Sequence, residues 1–408
     1  MHFSEENYAF PFREIRDIFR KALRLIMSDD TFTEVSHSGW LSRIGKSITG
    51  ALVGLIMTIA AFPLLWWNEG RSVQTFQGLI EGEKSCVEAS AVAVDPVNDG
   101  KLVHTSARAE ASDSVTDPVF GLRLTDTIKL LRQVEMFQWT EQKQTRTKTK
   151  LGGGEETVTE YTYRREWDSK MHRSSDFRKP DGHANPEPRY RSACFSAQQV
   201  SLGAFRIPDF LIEAWDDYKP HALPPQSVLP AALQSQAHWR DEWLFLSSNP
   251  DEPKVGDLRV AFQFIPEGEA SVLARQIAGT FEPYSTQHQT KIARIASGVQ
   301  SKESMFAAAQ SENTTMTWLL RGLGMVVMFL GLLSLFQPLK VVADVLPIAG
   351  RVVGAGTGMI AFLLAGIGST ATISLAWLWY RPLLGITILI ATAGCFVLFV
   401  RALRKKAT

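Results

Sequence analysis

The chain has 408 residues, of which 45% are hydrophobic and 21% charged, so it can form more than one domain around a sizeable core. Its 43 lysines and arginines nearly balance its 42 aspartates and glutamates, and the net charge of +1 argues against a nucleic-acid partner. Three cysteines (Cys86, Cys194 and Cys395) are too few for a disulfide-dense scaffold and too widely spaced for a Cys-x-x-Cys metal or redox motif.

The first predicted element is a basic amphipathic helix within the N-terminal segment, residues 1–46. Apolar residues recur there at steps of three and four, and basic residues crowd the other side. This pattern predicts a helix that lies on an anionic membrane surface, the alternative being a helix that packs on another protein domain. The predicted membrane-surface residues are Phe12, Ile15, Arg16, Phe19, Arg20, Leu23 and Arg24.

The first predicted membrane span covers residues 47–67. Residues 48–67 carry no charge, and about 20 such residues cross a bilayer core of about 30 Å. Arg43 and Lys46 precede the span, and Trp66 and Trp67 end it as an interfacial aromatic pair.

Residues 68–315 show strand-like alternation and are too long for a simple loop. Residues 134–139 and 157–163 flank a Gly-rich connection, which predicts a β-hairpin. Alternation over 257–264 predicts a further strand, and a turn at 266–269 then leads the chain into 271–275. A short strand is expected at 243–246 and helices at 228–239 and 287–311. The segment is therefore predicted to be a large α+β, mainly β, ectodomain.

Three further spans are predicted after the ectodomain, at 316–337, 354–380 and 383–400. A connector at 338–353 lies between the first two, and a basic tail follows at 401–408. The predicted fold class is a multipass α-helical membrane protein with four spans and the mainly β ectodomain between spans one and two.

The basic residues predict the orientation. They concentrate in the N-terminal segment, the connector and the tail, which favours both termini and the connector in the cytoplasm, the inverted topology being the alternative. The basic residues that carry this prediction are Arg13, Arg16, Arg20, Lys21, Arg24, Arg43, Lys46, Lys340, Arg351, Arg401, Arg404, Lys405 and Lys406.

Small residues form a predicted helix-packing seam around the third span. Gly350, Gly354 and Gly358 recur every four residues and Gly366 continues the series, so we expect helix packing or oligomerisation through them. The run from Gly354 to Gly358 superficially resembles a phosphate-binding loop, but it lacks the P-loop lysine and lies in an apolar segment.

Several short sequence motifs occur in an order that resembles the LUMA family (transmembrane protein 43). These motifs are Asn68-Glu-Gly-Arg71, Gly100-Lys-Leu-Val-His104, Asp117-Pro-Val-Phe-Gly121, Val134-Glu-Met-Phe-Gln-Trp139, Tyr161-Thr-Tyr163, Glu166-Trp167, Gly182-His-Ala-Asn-Pro186, Val255-Gly-Asp-Leu-Arg-Val260, Ala274-Arg-Gln276 and Trp379-Tyr-Arg-Pro382. Each motif alone is a weak indication of the family, but their shared order over residues 40–400 is a specific one. The basic helix of residues 10–27 departs from the family pattern.

The resemblance implies a multipass membrane protein linked to self-association and nuclear-envelope organisation. Family members occupy the endoplasmic reticulum and inner nuclear membrane in eukaryotes, and relatives occur in bacteria, where the inner membrane is expected. The juxtamembrane motif residues are Asn68, Glu69, Gly70, Arg71, Tyr380, Arg381 and Pro382. Among these, an ion-pair network of Glu69, Arg71 and Arg381 at the base of the ectodomain is expected, with ordinary interfacial anchoring as the equal alternative.

The predicted function is that of a non-enzymatic membrane scaffold. The sequence contains neither His-Glu-x-x-His nor Gly-x-Ser-x-Gly, and His104 and His183 are expected to satisfy buried backbone groups rather than form a site with Glu135 or Glu166. No catalytic residue, metal or cofactor is predicted. The expected partners are the bilayer, a second copy of the chain and other membrane or envelope proteins. An oligomeric channel or transporter and a membrane-bound enzyme with an ectodomain site are the alternatives.

Overall fold

The computed structural model describes residues 30–380 and, beyond them, 382, 386, 387 and 390. The predicted amphipathic helix, with Phe12, Ile15, Arg16, Phe19, Arg20, Leu23 and Arg24, lies outside the described residues. Arg381 and the basic tail also lie outside them.

The described residues form six α-helices, three short 3-10 helices and nineteen strands. The α-helices are α1 (Trp40–Ser85), α2 (Asp209–Ala214), α3 (Ala231–Gln234), α4 (Lys302–Leu335), α5 (Gln337–Ala343) and α6 (Pro347–Tyr380), and the 3-10 helices are Pro96–Asn98, Ser174–Asp176 and Gln226–Val228. The strands are β1 (Asp30–Ser38), β2 (Val87–Glu88), β3 (Leu102–Ala111), β4 (Val115–Asp117), β5 (Leu122–Leu124), β6 (Thr127–Thr149), β7 (Glu155–Asp168), β8 (Ala193–Ser196), β9 (Val200–Leu202), β10 (Phe205–Ile207), β11 (Lys219–Pro220), β12 (Ala237–Arg240), β13 (Trp243–Leu246), β14 (Leu258–Pro266), β15 (Gly268–Ile277), β16 (Thr280–Glu282), β17 (Tyr284–Ser285), β18 (Lys291–Ile292) and β19 (Arg294–Ser297).

The prediction of four membrane spans is wrong for the part of the chain that the structure describes. Three helical segments there are long and apolar enough to cross a membrane: Trp40–Ser85, Lys302–Ala343 and Pro347–Tyr380. The stretch 383–400, predicted as the fourth span, lies outside the described residues except for 386, 387 and 390. α6 is one helix of 34 residues, because residues 347–353 of the predicted connector continue into the predicted third span without a break.

Close backbone approach holds α1 against α4. A Cβ atom added to Gly54 would lie 2.4 Å from the carbonyl oxygen of Gly331, and one added to Gly324 would lie 2.4 Å from Leu65 Cδ2. Only a residue without a side chain allows such an approach, which is the usual device of packed membrane helices. Ala61, Leu65, Met328 and Ala365 form the small apolar core between the helices.

The segment between α1 and α4 is a β-rich domain built on two large sheets. The first has the strand order β1-β7-β6-β14-β13-β12, with β11 on β14 and β8 on β6. The second has the order β10-β9-β3-β15-β16, with β19 on β15 and β2 on β3. Apolar residues such as Val103, Leu130, Val260 and Val272 lie in one core cluster that both sheets share. The expected mainly β domain is therefore present.

The predicted hairpin of β6 and β7 forms, with pairing from Met136↔Asp168 to Thr149↔Glu155. β14 leads through the predicted turn into β15, but the two strands lie in different sheets, because β14 pairs with β6 and β13 whereas β15 pairs with β3. The expected helix at 228–239 is wrong except for residues 231–234, because Ala237–Arg240 pairs with β13. The expected helix at 287–311 begins only at Lys302, because residues 291–297 form β18 and β19.

A three-stranded polar ribbon extends from the first sheet toward the start of α1. It consists of β1, residues 140–149 of β6 and residues 155–163 of β7, and its tip is the turn at 150–154. β1 precedes α1 in the chain, yet Asp30 to Ser38 pair with Tyr163 to Glu155. Residues 142–148 are all exposed.

Candidate functional site: polar clusters among the apolar helices

A fully buried carboxylate joins the three apolar helices where the β-rich domain meets them. Glu69 lies in α1 and is only 1% exposed. Arg321 of α4 donates from Nε to Glu69 Oε1 at 2.7 Å and from Nη2 to Oε2 at 2.8 Å, and Trp377 of α6 donates from Nε1 to Oε2 at 2.5 Å. This fork geometry is the strongest common arrangement for an arginine and a carboxylate.

The aromatic rings of two tryptophans complete the surroundings of Arg321. Its guanidinium carbon lies 4.7 Å from the ring centroid of Trp318 and 5.4 Å from that of Trp377. Rings at this distance stabilise a cation that has lost water contacts. Arg321 lies near the start of the predicted second span, where it neutralises a buried charge.

A second layer of the same cluster lies one turn along α1. Asn68 donates from Nδ2 to the Thr317 carbonyl at 3.1 Å, and Arg71 donates to Asn313 Oδ1 at 3.1 Å and to Thr317 Oγ1 at 3.2 Å. Asn313 in turn donates to the Ser72 carbonyl at 3.0 Å. The layer therefore ties α1 to α4 through side chains on both helices. Arg71 belongs to this layer, and its hydrogen bonds go to Asn68, Asn313 and Thr317 rather than to Glu69 as the sequence suggested.

Gly70 is the contact point between α1 and the end of α6. A Cβ atom added there would lie 2.7 Å from Tyr380 Oη and 2.8 Å from Tyr380 Cζ. The ring of Tyr380 also lies 6.3 Å from that of Trp66. The structure thus brings together Asn68, Glu69, Gly70 and Arg71 with Tyr380, whereas Pro382 is exposed.

The opposite end of the helices carries a second buried ion pair. Arg43 donates from Nη2 to Asp344 Oδ2 at 2.5 Å, and both side chains are less than a tenth exposed. Arg43 also lies 2.9 Å from Glu155 of the ribbon and donates at 2.6 Å to the carbonyl of Gly153. This residue therefore links α1, the connector after α5 and the ribbon tip.

A further hydrogen bond and the ring of Trp40 hold the ribbon tip at that end. Trp40 donates from Nε1 to the Val341 carbonyl at 2.9 Å, and the Gly152 amide donates to the Val345 carbonyl at 3.1 Å. Gly153 adopts a φ of +78°, and a Cβ atom there would lie 2.3 Å from the Trp40 ring. The conformation and the close approach both require glycine.

The glycines of the predicted seam face neighbours within the same chain. A Cβ atom on Gly350 would lie 1.8 Å from Asp344 Oδ1, and one on Gly354 would lie 3.2 Å from Lys340 Cδ. Gly358 and Gly366 have looser neighbours, Leu333 and Met325, near 4 Å. The tight contact in the series is thus with the connector rather than with a facing helix.

His104 and His183 do not form a site with Glu135 or Glu166. His104 Nδ1 lies 2.7 Å from Glu88 Oε2, and its Nε2 lies 3.0 Å from the Gln300 carbonyl. His183 is stacked on Tyr163, and its Nδ1 lies 2.9 Å from the Lys179 carbonyl. Within the residues that the structure describes, no group of three or more His, Cys, Asp or Glu residues could hold a metal ion.

These clusters connect the apolar helices to one another and to the ribbon. Each charged group in the Glu69 and Arg43 clusters has a protein partner in hydrogen-bond range, and none is an exposed nucleophile. Sequence reasoning missed Trp377, Arg43 and Asp344 as cluster members. The available signal was the rule that a charge inside an apolar helix needs a partner, which Arg321 obeys. Asp344 lies in the connector between α5 and α6, where that rule does not apply.

Comparisons with known proteins agree with this architecture. The family model described as transmembrane protein 43 matches residues 136–382. The chain is 32% identical to transmembrane protein 43 of Rattus norvegicus over 382 residues, which cover 90% of this chain and 92% of the relative. The corresponding Homo sapiens protein is 32% identical over 365 residues, covering 86% and 90%.

A more distant relative extends the same match. The transmembrane protein 43 homolog of Drosophila melanogaster is 27% identical over 368 residues, which cover 86% of this chain and 94% of the relative. No solved structure matches the chain. The family match and the coverage by relatives show that the chain belongs to the transmembrane protein 43 family.

Proposed function

We propose that this protein is a non-enzymatic membrane scaffold that associates with copies of itself and organises a membrane or a membrane protein complex. The observation that carries the proposal is the Glu69 cluster. It joins all three apolar helices at the base of a large β-rich domain, which gives the domain a rigid attachment to the bilayer.

The same cluster argues against the transporter alternative. Ionisable residues inside spans commonly mark an ion or substrate path. Glu69, however, uses both oxygens on Arg321 and Trp377, so a permeating ion would have to displace a bidentate arginine. A buried carboxylate matched in this way is a structural element.

The proposed location follows from family membership and from the basic residues. In a eukaryote the scaffold would occupy the endoplasmic reticulum and inner nuclear membrane, and in a bacterium the inner membrane. Arg43 and Lys46 in the first two turns of α1, together with Lys340 and Arg351 in the connector, favour the cytoplasmic side for that end.

Co-purification of two differently tagged full-length copies tests self-association. Both tags should elute together from mild detergent, and the particle mass in lipid nanodiscs should be a multiple of 45.4 kDa. A matched control is the same pair of copies solubilised separately and mixed afterwards. Recovery of one tag alone, with a monomer mass in nanodiscs, would contradict the scaffold.

A further inference from the structure

The polar ribbon runs beside the apolar part of the helices. Its tip at 150–154 contacts Arg43 and Trp40 at the start of α1, whereas Gly78 and Gly82 near the end of α1 contact Thr290 and Ile292 of the β-rich domain. Between these levels lie about 35 helical residues, or about 53 Å at 1.5 Å per residue. The charge-free stretch 48–67 falls inside that interval, so the ribbon passes the depth that a bilayer would occupy.

Lipid is not a possible neighbour for this ribbon. In the sequence of β6, residues 140–149 are polar without exception, and Lys143, Arg146 and Lys148 carry charge. One face of the ribbon contacts the helix side, because Glu155 pairs with Arg43. On the face that points away, paired residues of β1, β7 and β6 lie side by side in three rows across the ribbon. These rows are Thr33–Glu160–Gln144, Val35–Val158–Arg146 and His37–Glu156–Lys148. Non-helical backbone at membrane depth is tolerated only against protein or water.

Both long edges of the ribbon are unpaired in the described part of the chain. β7 is the only strand there that pairs with β1, and beyond Trp139 no strand other than β7 pairs with β6. Such edges present rows of free N–H and C=O groups that readily accept another strand. β1 and β6 run in the same direction, because each is antiparallel to β7.

The two edges differ in charge. Lys143, Arg146 and Lys148 make the β6 edge basic. β1 carries no lysine or arginine, and its Asp30 and Glu34 form ion pairs with Lys179 and Arg178 of the same chain. A second copy in the same membrane orientation would present its β1 edge at the depth of this β6 edge. A strand pair of this kind would satisfy the backbone groups of both edges.

We propose that the β6 edge of one ribbon pairs in parallel with the β1 edge of a second copy of this chain. The contact is head to tail, so repetition of one rotation closes a ring. The ribbons then form a continuous sheet with the apolar helices on the lipid side and the charged face turned to water. This inference rests on the proposed self-association and adds the surface that carries it.

Disulfide trapping in the full chain tests the contact. In a background with Cys86→Ala, Cys194→Ser and Cys395→Ser, Arg146→Cys is combined in turn with Thr33→Cys, Val35→Cys or His37→Cys. Within one chain β7 separates the two positions, so their Cα atoms are about 9.6 Å apart or more, beyond the 7 Å limit for a disulfide. Any disulfide formed is therefore between copies.

For at least one of the three cysteine pairs, a non-reducing gel should show a ladder of disulfide-linked oligomers. A ladder rather than a single dimer band is expected because every copy carries both edges. Coexpressed chains that carry Val35→Cys or Arg146→Cys singly should stop at dimers that contain both tags. Arg146→Cys with Val158→Cys is the matched control, since these residues are direct neighbours on β6 and β7 and should form a disulfide within the chain without a ladder.

The possible outcomes distinguish a failure of the proposed edge contact from a failure of the proposed self-association. Oligomers in nanodiscs without a ladder in any combination would overturn the edge contact and leave the scaffold standing. Disulfide-linked dimers of one single-cysteine chain alone would replace it with a two-fold contact. A monomer mass for the cysteine-free chain would instead overturn self-association.

Discussion

At the scale of single residues, glycines mark places where two chain segments meet. The predicted seam contains one such residue, Gly350, whose added Cβ would also lie 2.9 Å from the backbone Cα of Asp344. Gly354 faces only the flexible side chain of Lys340. Gly350 and Gly354 follow the same four-residue spacing in the sequence, but Gly350 is packed much more tightly than Gly354.

The replacement of Gly350 by alanine should lower the unfolding temperature of the protein, because Asp344 cannot move without breaking its pair with Arg43. The measurement is thermal unfolding in nanodiscs. Gly354→Ala is the matched control and should change the unfolding temperature little. Equal losses for both variants would mean that the seam packs as the four-residue spacing alone suggests.

Burial also decides the reactivity of the native thiols. Burial raises the pKa of Cys86 to about 12, so at pH 8 almost none of this group is the reactive thiolate. Cys194 is exposed. A maleimide at pH 8 should modify Cys194 and spare Cys86 in the folded protein, and peptide mass mapping should find both modified in denaturant. Early labelling of Cys86 would show that the junction after α1 opens.

At the scale of the elements, the Glu69 cluster couples three helices. A buried ion pair contributes little compared with an apolar replacement, but loss of one partner leaves a charge without compensation. Because Glu69 and Arg321 form a bidentate ion pair, replacing one of them should destabilise the helices more than replacing both by apolar residues.

Arg321→Met should destabilise the helices by about 3–5 kcal/mol, because it strands the Glu69 carboxylate among apolar side chains. The double variant Glu69→Leu with Arg321→Met should recover most of that loss. Unfolding in detergent, followed by tryptophan fluorescence, measures both. Arg351→Met is the control, since Arg351 is exposed on α6. Additive losses in the double variant would show that the two residues act independently.

At the scale of the whole molecule, Arg43 connects parts that are far apart in sequence. It holds Asp344 of the connector, Glu155 of the ribbon and the carbonyl of Gly153 at the tip. A single side chain thus attaches the ribbon to the end of the helices that lies opposite the β-rich domain.

Arg43→Met should release the ribbon tip. Amide hydrogen exchange over 148–156 should become faster, because the bonds to Gly153 and Glu155 are lost while β6 and β7 still pair. Exchange in the domain core, for example over 258–266, should not change. Lys46→Met is the matched control on the same helix. Unchanged exchange at the tip would mean that Trp40 and Val345 suffice to hold it.

The local patterns of the sequence determined the apolar helices and the hairpin of β6 and β7. Charge-free stretches of about 20 residues predicted the helices, and alternation of residue types on both sides of Gly152 and Gly153 predicted β6 and β7. Both signals are visible in the sequence because they depend only on residues that are close together in the chain. The same patterns predicted that Asn68, Glu69, Gly70 and Arg71 matter, since their order resembles the family.

Only the tertiary structure decided how these elements are joined. Arg43 and Asp344 are 301 positions apart, and no periodicity relates them. β1 was not foreseen, because nine polar-rich residues before a membrane helix have no partner until β7 supplies a backbone edge. Glu69 selected Arg321 and Trp377 rather than Arg71 for the same reason: a buried charge takes the partner that folding brings within about 3 Å, and sequence proximity does not determine which one that is.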